Sequence, residues 1–308
     1  MTAIIECRNL TRTFGSIRAL DNLDFSIPAQ ASVGLVGPNG AGKTTLFAML
    51  CGFLHPSKGS ITVMGHKPDS ARLKGRIGIL PQDIPLMRGI SAHAQLILFA
   101  RLQGFNKTTA RQEIERIIQL VNIGNLVKQF PETLSHGQRK RISLAQALIG
   151  NPGLILLDEP TSGLDPVVAN DVRSIIQKLR HEHSLIISSH NLDEIKNVCD
   201  EIIIIDKGKL VRHSRIDDLI ERNNTLTILL EQPAEEPLLQ SLKALPSIIK
   251  FVTDDTNPYR LTVIFQDDKP DQVQFKILGL LQQSGVGIVE FNRGSAFTDR
   301  VVELVSKH

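Results

Sequence analysis

The stretch of sequence that decides the fold covers residues 37–44 and reads Gly37-Pro38-Asn39-Gly40-Ala41-Gly42-Lys43-Thr44. It fits the pattern G-x-x-x-x-G-K-[ST] and lies between an apolar run, Ala31–Val36, and a helical pattern over Thr44–Leu50. Glycine lets the backbone approach a ligand closely, and the helix that follows directs its positive dipole end to the same place. A Gly-rich turn before a helix is the simpler alternative. The flanking strand and helix favour a loop that binds the phosphates of a nucleotide.

Each part of this loop has an expected role. The backbone N–H groups from Gly37 to Thr45 would point at the phosphates. Lys43 would reach the β- and γ-phosphates, and the Thr44 hydroxyl would be a ligand of Mg²⁺.

Two acidic residues follow the apolar run over residues 154–157, which reads Leu-Ile-Leu-Leu. Such a run indicates a strand covered on both faces, and ligands bind outside the carboxyl ends of parallel strands. We therefore expect Asp158 to hold Mg²⁺. Glu159 points to the other side of the chain, where it can orient or deprotonate the attacking water. Either residue alone would be interpreted as a solvated loop acid, but the phosphate loop favours the functional interpretation.

Two further polar residues follow predicted strands at the same edge. Gln82 comes after Arg76–Leu80, and His190 comes after Leu185–Ile187. A lone histidine after a strand is more often a surface or capping residue. Here four polar groups from different strand ends could converge on one ligand. We include Gln82 and His190 among the catalytic candidates with Lys43 and Glu159, and Gln82 also among the Mg²⁺ ligands with Thr44 and Asp158.

The order of the elements predicts an α/β fold for residues 1–222. Two antiparallel strands, Ala3–Leu10 and Asp21–Ile27, come first, and a mostly helical insert occupies about residues 83–150. Strands and helices then alternate, which argues for a parallel sheet with helices on its faces. The remainder, residues 223–308, has the order βαββαβ, which matches a small ferredoxin-like α+β domain. We expect it to serve as a regulatory sensor, a second dimer contact or a spacer, and predict no chemistry in it. Its six aromatic side chains are expected in its core: Phe251, Tyr259, Phe265, Phe275, Phe291 and Phe297.

Composition sets further bounds. The 308 residues are enough for two domains, and a net charge of +3 is too small to argue for nucleic acid. No run of about 18 apolar residues exists, so no segment is expected to span a bilayer. The first thirty residues have no secretory pattern. The cysteines at 7, 51 and 199 are odd in number and far apart, which predicts three buried thiols in a reducing compartment.

A last motif lies ahead of the helix near residues 135–149 and reads Leu134-Ser135-His136-Gly137-Gln138. Ser135 can cap that helix, and Gln138 would complete a capping box. The start of a capped helix is also an anion site, and Gly137 leaves a phosphate room to approach.

With this motif the sequence resembles the ATP-binding subunits of ABC transporters over about residues 3–220. The motifs appear in the family's order: the Walker A loop 37–44, the Q-loop at Gln82, the signature 134–138, Walker B 154–159, the D-loop 162–165 (Ser-Gly-Leu-Asp) and the switch His190. His136 departs from the commonest signature, which has glycine there, and Gln146 stands where arginine is frequent. The resemblance implies a P-loop ATPase that uses ATP and Mg²⁺.

The resemblance also implies a head-to-tail homodimer with ATP at its interface. Ser135 and Gly137, in one nucleotide-binding segment with Gln138, would contact the γ-phosphate bound to the other chain. Asp165 would lie at the dimer seam, and His190 would grip the γ-phosphate. Phe14 matches the family's aromatic residue that stacks on adenine, with a core residue near a turn as the alternative.

The segment Pro85–Gly104 resembles the helical subdomain of the bacterial subfamily that exports drugs, polysaccharides or lipids. The implied function is an ATP-hydrolysing motor that drives a separate polytopic membrane subunit from the cytoplasmic face of the membrane. The alternative is a soluble ABC ATPase that acts on nucleic acid or ribosomes. That class carries a long coiled coil or two ATPase units, and neither occurs here, so no direct nucleic-acid partner is expected.

Overall fold

The computed structural model describes residues 3–83, 86–219, 225–254, 257–266, 270–293 and 297–306. Its contacts divide the chain into two compact units, with the second covering Ile216–Ser306. The predicted boundary at residues 222–223 lies outside the described residues. The two units are described separately below.

The first unit contains nine strands and six α-helices among the residues described. In chain order they are β1 (Ala3–Phe14), β2 (Ile17–Pro28), β3 (Ser32–Val36), α1 (Lys43–Leu50), β4 (Lys58–Val63), β5 (Ile77–Leu80), α2 (Ala92–Leu102), α3 (Lys107–Leu120), α4 (His136–Ala147), β6 (Leu154–Asp158), α5 (Pro166–Leu179), β7 (Ser184–Ser188), α6 (Leu192–Val198), β8 (Glu201–Asp206) and β9 (Lys209–Arg215).

A six-stranded sheet with the order β5-β6-β7-β3-β8-β9 positions the site. All neighbouring strands in it are parallel except β8 and β9. Every residue of β3, β6 and β7 is buried, as their continuous apolar sequences require for strands covered on both faces. The predicted parallel sheet is confirmed, and its carboxyl edge brings together loops that are far apart in sequence.

The predicted antiparallel strands at the start of the chain form a second sheet, with the order β2-β1-β4. Strand β1 continues to Phe14, four residues beyond the predicted end at Leu10, and turns at Gly15. Several register irregularities interrupt the β1–β2 pairing, which explains why strict alternation fades after Leu10.

The described part of the helical insert contains three α-helices, and side chains cap the start of each. Ser91 caps α2, Asn106 caps α3 and Ser135 caps α4. The predicted helical region over 91–121 is interrupted at Gly104, where φ is +105°. Glycine tolerates this dihedral without strain, so the chain can end one helix and begin the next within a few residues.

The second unit contains the following described elements: α7 (Ile216–Leu219), β10 (Thr225–Leu230), α8 (Glu236–Lys243), β11 (Ile248–Asp254), β12 (Asn257–Phe265), α9 (Pro270–Gln283), β13 (Ile288–Arg293) and α10 (Phe297–Ser306). Strands β10–β13 and helices α8 and α9 follow the predicted order βαββαβ. Their sheet has the order β11-β12-β10-β13, and all its neighbouring pairs are antiparallel. Leu238 and Leu242 of α8 and Val273, Ile277 and Leu281 of α9 pack on the sheet to form the core.

Not all the aromatic residues of this unit are in its core. Phe265 is fully buried, and Phe251 and Phe291 pack against the core. Tyr259 and Phe275 are exposed by 45% and 72%, so the prediction that they are core residues is wrong. The Phe297 side chain lies outside the described residues.

The cysteines and the helices test two of the predictions from composition. No disulfide forms among the described residues, and Cys7 and Cys199 are buried. Cys51 is only partly buried, because it lies at the end of α1, so the prediction of a third fully buried thiol is wrong. Burial raises the pKa of Cys51 and of Cys199 to about 12. Within the described ranges, no helix combines the length and the apolar character needed to cross a membrane.

The core of the second unit can be tested with two phenylalanines. Replacing the fully buried Phe265 with Ala should lower the free energy of unfolding by about 3–5 kcal/mol, because it leaves a cavity. The exposed Phe275→Ala control should change it by about 0.5 kcal/mol or less. Tyr259 is the only tyrosine and the chain has no tryptophan, so tyrosine fluorescence during urea denaturation reports this unit. Equal effects of the two substitutions would contradict the assigned core.

Candidate functional site

A cavity of about 390 Å³ lies at the carboxyl edge of the parallel sheet, beside the glycine-rich loop. Its lining joins the loop before α1 to the residues that follow β5, β6 and β7. It is lined by Ala19, Asn39, Gly40, Ala41, Gly42, Lys43, Thr44, Thr45, Gln82, Asp158, Glu159, Ser162 and His190. All four predicted catalytic residues and all three predicted metal ligands are therefore at one site.

The shape of the glycine-rich loop depends on two glycines that pack against backbone. A Cβ on Gly37 would collide with the carbonyl oxygen of Ile205 at the end of β8. Gly42 has φ +110°, and a Cβ there would lie 2.6 Å from the carbonyl oxygen of Ala19 in β2. Only glycine fits at these positions, so both sheets fix the path of the loop.

The ammonium of Lys43 is turned towards its own loop. Lys43 Nζ donates hydrogen bonds to the carbonyl oxygens of Gly37 at 2.6 Å and Pro38 at 3.1 Å. Partial burial lowers the pKa of Lys43, and the nearby carboxylates of Glu159 and Asp158 oppose that shift. A cation held only by neutral carbonyls can form stronger, charge-assisted bonds with phosphate oxygens.

Asp158 and Glu159 are held by the neighbouring strand β7. Asp158, which is 7% exposed, accepts a hydrogen bond from Ser188 Oγ. The backbone N–H of Glu159 donates to the carbonyl oxygen of Ser188 at 3.0 Å. Glu159 has φ +49°, a left-handed conformation that costs a residue other than glycine about 1–3 kcal/mol. This strained turn directs the Glu159 side chain towards the cavity.

His190 closes the same side of the cavity. Its Nδ1 lies 2.8 Å from Glu159 Oε2, and the ring N–H donates because a carboxylate can only accept. The His190 side chain is 71% exposed, whereas that of Glu159 is only 13% exposed. The imidazole is therefore placed between solvent and the carboxylate, where it can also reach a ligand in the cavity.

The predicted metal ligands fit a magnesium ion in their chemistry. Thr44, Gln82 and Asp158 offer a hydroxyl, an amide and a carboxylate oxygen from three different segments. Mg²⁺ is usually held by one or two carboxylates together with substrate phosphates, so one acidic residue beside a phosphate loop suffices. The backbone carbonyl oxygen of Gln82 accepts a hydrogen bond from Lys140 Nζ at 3.2 Å. This bond joins the Q-loop to α4 and leaves the side-chain amide of Gln82 available.

The signature residues do not line the cavity. Ser135 Oγ accepts from the backbone N–H of Gln138 at 3.2 Å, and Gln138 Oε1 accepts from the backbone N–H of Ser135 at 2.9 Å. The predicted capping box is confirmed. Gly137 is buried, and a Cβ there would lie 2.7 Å from Val168 Cγ1 of α5. Glycine at this position therefore permits the close packing of α4 on α5.

Two other predicted nucleotide contacts also lie outside the cavity lining. Asp165 caps α5, with Oδ1 accepting from the backbone N–H groups of Val167 at 3.1 Å and Val168 at 3.0 Å. Phe14 is 43% exposed, so the alternative of a core residue is wrong. The guanidinium of Arg12 lies 4.6 Å from the centre of the Phe14 ring.

Three residues of the site were not among the predicted site residues. Ala19 and Ser162 line the cavity, and Ser188 binds Asp158. The strand-end argument that selected His190 also applies to Ser188, which ends β7, so a signal was present. Ala19 has no such signal, because its place depends on how β2 packs against Gly42.

The chain is similar in sequence to a known family of proteins. Residues 20–162 match the family model described as ABC transporter. The chain is 34% identical over 240 residues to the ABC transporter ATP-binding protein YhcH of Bacillus subtilis, covering 76% of this chain and 78% of that protein. The chain belongs to the ATP-binding subunits of ABC transporters. As a member of this family it is an ATPase, the motor of a transporter.

Two further proteins resemble this ABC subunit, one in sequence along its whole length and one in fold. The chain is 29% identical over 317 residues to the daunorubicin/doxorubicin resistance ATP-binding protein DrrA of Streptomyces peucetius, covering 100% of this chain and 93% of that protein. In fold it is similar to the ATP-binding cassette MJ0796, solved as a dimer in a post-hydrolysis state with ADP and phosphate. That likeness has a TM-score of 0.62 at 23% identity and covers 68% of this chain and 98% of the cassette.

The packing role of Gly137 can be separated from any contact with nucleotide. Gly137→Ala should lower the free energy of unfolding by about 1–3 kcal/mol, because the added methyl overlaps Val168 Cγ1. The double variant Gly137→Ala, Val168→Ala should recover part of that loss, because the second change removes the overlapping atoms. Thermal denaturation of the two variants and of Val168→Ala alone measures the effect. A loss that Val168→Ala does not reduce would contradict the packing role.

Proposed function

We propose that this ABC subunit powers an exporter from the cytoplasmic face of the membrane, where it binds a separate polytopic membrane subunit. The observation that supports the chemistry is the cavity that combines Lys43, Asp158, Glu159 and His190 beside the phosphate loop. Membrane attachment through a partner rests on the family to which the chain belongs. The following roles are proposed for individual residues.

Lys43 and the backbone of the phosphate loop hold the β- and γ-phosphates of ATP. Among the residues that the structure describes, Lys43 Nζ bonds only to carbonyl oxygens of its own loop, so phosphate oxygens would replace weaker partners. Thr44, Asp158 and Gln82 would hold Mg²⁺ with the phosphates. When bound, Mg²⁺ at these residues would supply charge neutralisation of the β- and γ-phosphate oxygens. Ser188 keeps the Asp158 carboxylate oriented.

Glu159 is the proposed base that orients or deprotonates the attacking water. Its backbone is held by Ser188 and its carboxylate by His190, so it enters the cavity in a defined orientation. His190 is proposed to contact the γ-phosphate. The His190 imidazole also bonds to the Glu159 carboxylate. The position of Glu159 would therefore depend on whether a γ-phosphate is bound to His190.

The signature residues and Asp165 are proposed to serve the ATP bound to a second copy of the chain. Ser135, Gly137, Gln138 and Asp165 do not line the cavity of their own chain. A head-to-tail dimer would bring them to the partner's nucleotide, as the resemblance implies. The dimeric state of the structurally similar cassette MJ0796 supports this arrangement. Phe14, exposed at the end of β1, is the proposed adenine contact.

We propose that the direction of transport is export. The proposed substrate is antibiotic-like or lipid-like. The support is the resemblance of residues 85–104 to exporter subunits, together with the match to DrrA along the whole chain. DrrA is named for resistance to daunorubicin and doxorubicin. The second unit, Ile216–Ser306, is proposed to be an accessory domain without catalytic residues, and its sensor, dimer-contact and spacer roles remain alternatives.

The role of Glu159 predicts a variant that binds ATP without hydrolysing it. In Glu159→Gln the amide cannot accept the proton of water, so turnover should fall by at least about 10²-fold while ATP affinity is retained. The ATP-bound chain should then accumulate as a dimer. Phosphate release measures turnover, and light scattering with and without ATP measures the dimer. Parent-level hydrolysis by this variant would show that the base is assigned wrongly.

Lys43→Ala is the matched control for that experiment. It removes a phosphate contact from the same cavity, so it should weaken ATP binding itself and prevent the dimer from accumulating. If Lys43→Ala binds ATP as tightly as the parent chain, the proposed phosphate contact is wrong. Both variants are compared at equal protein concentration, because each proposed site needs two chains.

The membrane partner can be captured with the Glu159→Gln variant. A tagged chain is recovered with ATP from gently solubilised membranes of the source cell, and the proteins that co-purify are identified by mass spectrometry. A polytopic membrane protein in stoichiometric amount is expected, and Lys43→Ala should recover less of any partner that requires ATP-driven closure. Ribosomes or DNA-processing proteins without a membrane protein would overturn the transporter proposal.

A further inference from the structure

Glu194 is a buried carboxylate near the cavity to which none of the roles above assigns a function. It belongs to α6 and is only 1% exposed. Its Oε2 accepts a hydrogen bond from Ser189 Oγ at 2.7 Å and another from Thr161 Oγ1 at 2.9 Å. Its Oε1 is also buried and has no hydrogen-bond partner in the part of the chain that the structure describes. A single oxygen atom of Glu194 therefore joins two segments of the chain.

Both segments contribute to the lining of the cavity. Thr161 lies immediately before Ser162, which begins the D-loop and lines the cavity. The carbonyl oxygen of Thr161 accepts from the backbone N–H of Leu164 at 3.3 Å, so Thr161 also closes the D-loop turn. Ser189 immediately precedes His190, which also lines the cavity. A movement of Glu194 would thus be transmitted to the two segments that bring Ser162 and His190 to the cavity.

Among the described residues, the two hydrogen bonds add to a small number of other hydrogen bonds between these segments. The strands β6 and β7 end at Asp158 and Ser188, where the parallel ladder stops. Beyond that point, the backbone N–H of Glu159 bonds to Ser188, and the Glu159 side chain bonds to His190. The Thr161–Glu194–Ser189 bridge is the next connection outward, and it involves no catalytic candidate.

Burying a carboxylate has a desolvation cost that burying an apolar side chain of similar size does not have. Burial raises the pKa of Glu194, whereas the bonds from Ser189 and Thr161 and the positive charge of Arg173 oppose that rise. No ion pair within the described ranges includes Glu194. An apolar side chain would avoid the desolvation of a carboxylate, so packing alone does not account for this residue.

We propose that Glu194 is a positioning residue that fastens the start of the D-loop to the segment that carries His190. Through Thr161 and Ser189 it sets the distance between Ser162 and His190 in the lining of the cavity. The inference rests on the proposed function, in which Glu159 and His190 act on ATP. It adds that the placement of the D-loop controls hydrolysis through a carboxylate that never touches the nucleotide.

The first test uses Thr161, because its hydroxyl can be removed without changing the shape of the side chain. Thr161→Val should lower kcat about tenfold, corresponding to the loss of one hydrogen bond to a charged group, with KM for ATP within about twofold. Thr161→Ser keeps the hydroxyl and should retain turnover near that of the parent chain. Steady-state phosphate release measures both constants. Equal turnover of the Val and Ser variants would overturn the proposal.

Substitutions of Glu194 separate the hydrogen bonds from the charge. Glu194→Gln keeps an oxygen that can accept from both hydroxyls, so its turnover should stay within about threefold of the parent. Glu194→Leu removes the acceptor and should lower kcat at least as far as Thr161→Val does. Adding Thr161→Val to Glu194→Leu should then cost no more, because the two changes remove the same interaction. Independent, multiplying losses would contradict a shared bridge.

The NMR resonance of the His190 ring reports the surroundings of that side chain without requiring turnover. In protein labelled on its nine histidines, His190→Gln identifies the His190 ring resonance. Thr161→Val should move that resonance, whereas Thr161→Ser should not. His136 lies beside Gly163 of the D-loop and is not used as a control, and the other seven resonances should stay in place. An unchanged His190 resonance in Thr161→Val would overturn the proposed link. This readout remains decisive if Glu194→Leu fails to fold.

The same set of variants distinguishes failure of this inference from failure of the proposed function. If Glu159→Gln loses hydrolysis but Thr161→Val and Thr161→Ser behave alike, the roles at the cavity stand and the Glu194 bridge is wrong. If Glu159→Gln hydrolyses ATP like the parent chain, the proposed function fails first. A shifted His190 resonance would then still report the structural link.

Discussion

The carbonyl oxygen of Ile205 occupies the space where any residue but glycine at position 37 would place its side chain. This close approach of the loop to the end of β8 is the constraint on which the site depends. On its other side, Gly42 and Gly208 both pack against the carbonyl of Ala19 in β2. The loop is therefore held between two sheets, and α1 begins where its first N–H groups can face the cavity.

That constraint matters because the other functional groups come from distant parts of the chain. The strand order β5-β6-β7-β3-β8 places the loops after β5, β6 and β7 along one edge, beside the loop after β3. Each contributes polar residues to a common cavity. The apolar strands were predictable, because a strand buried on both faces must be apolar throughout. Once the strands were placed, their parallel order brought Gln82, Asp158 and His190 together.

What escaped prediction has physical reasons that differ from element to element. Strand β9 (Lys209–Arg215) is a polar edge strand, and α6 (Leu192–Val198) is only seven residues long, so neither carries a clear periodic pattern. The bridge at Glu194 depends on α6, and so it escaped as well. The packing of Gly137 against Val168 depends on how α4 and α5 meet, which sequence spacing does not encode. The capping of α5 by Asp165 is local, and an acidic residue directly before Pro166 was a signal for it that went unused. The motif residues could be named from the sequence, but their local packing and capping required coordinates.

Those local roles bear on how the motor could work. At the start of α4, the Ser135–Gln138 capping box satisfies two backbone donors. The N–H groups of the first helical turn lack intrahelical partners, so those of His136 and Gly137 are left directed away from the helix. In the proposed dimer, a phosphate of the partner's ATP would meet these groups and the positive end of the helix dipole. A ligand shifts a conformational equilibrium only by binding one state better than the other. ATP would do so here, because the open chain offers it one half of the proposed contacts and the closed dimer offers it both.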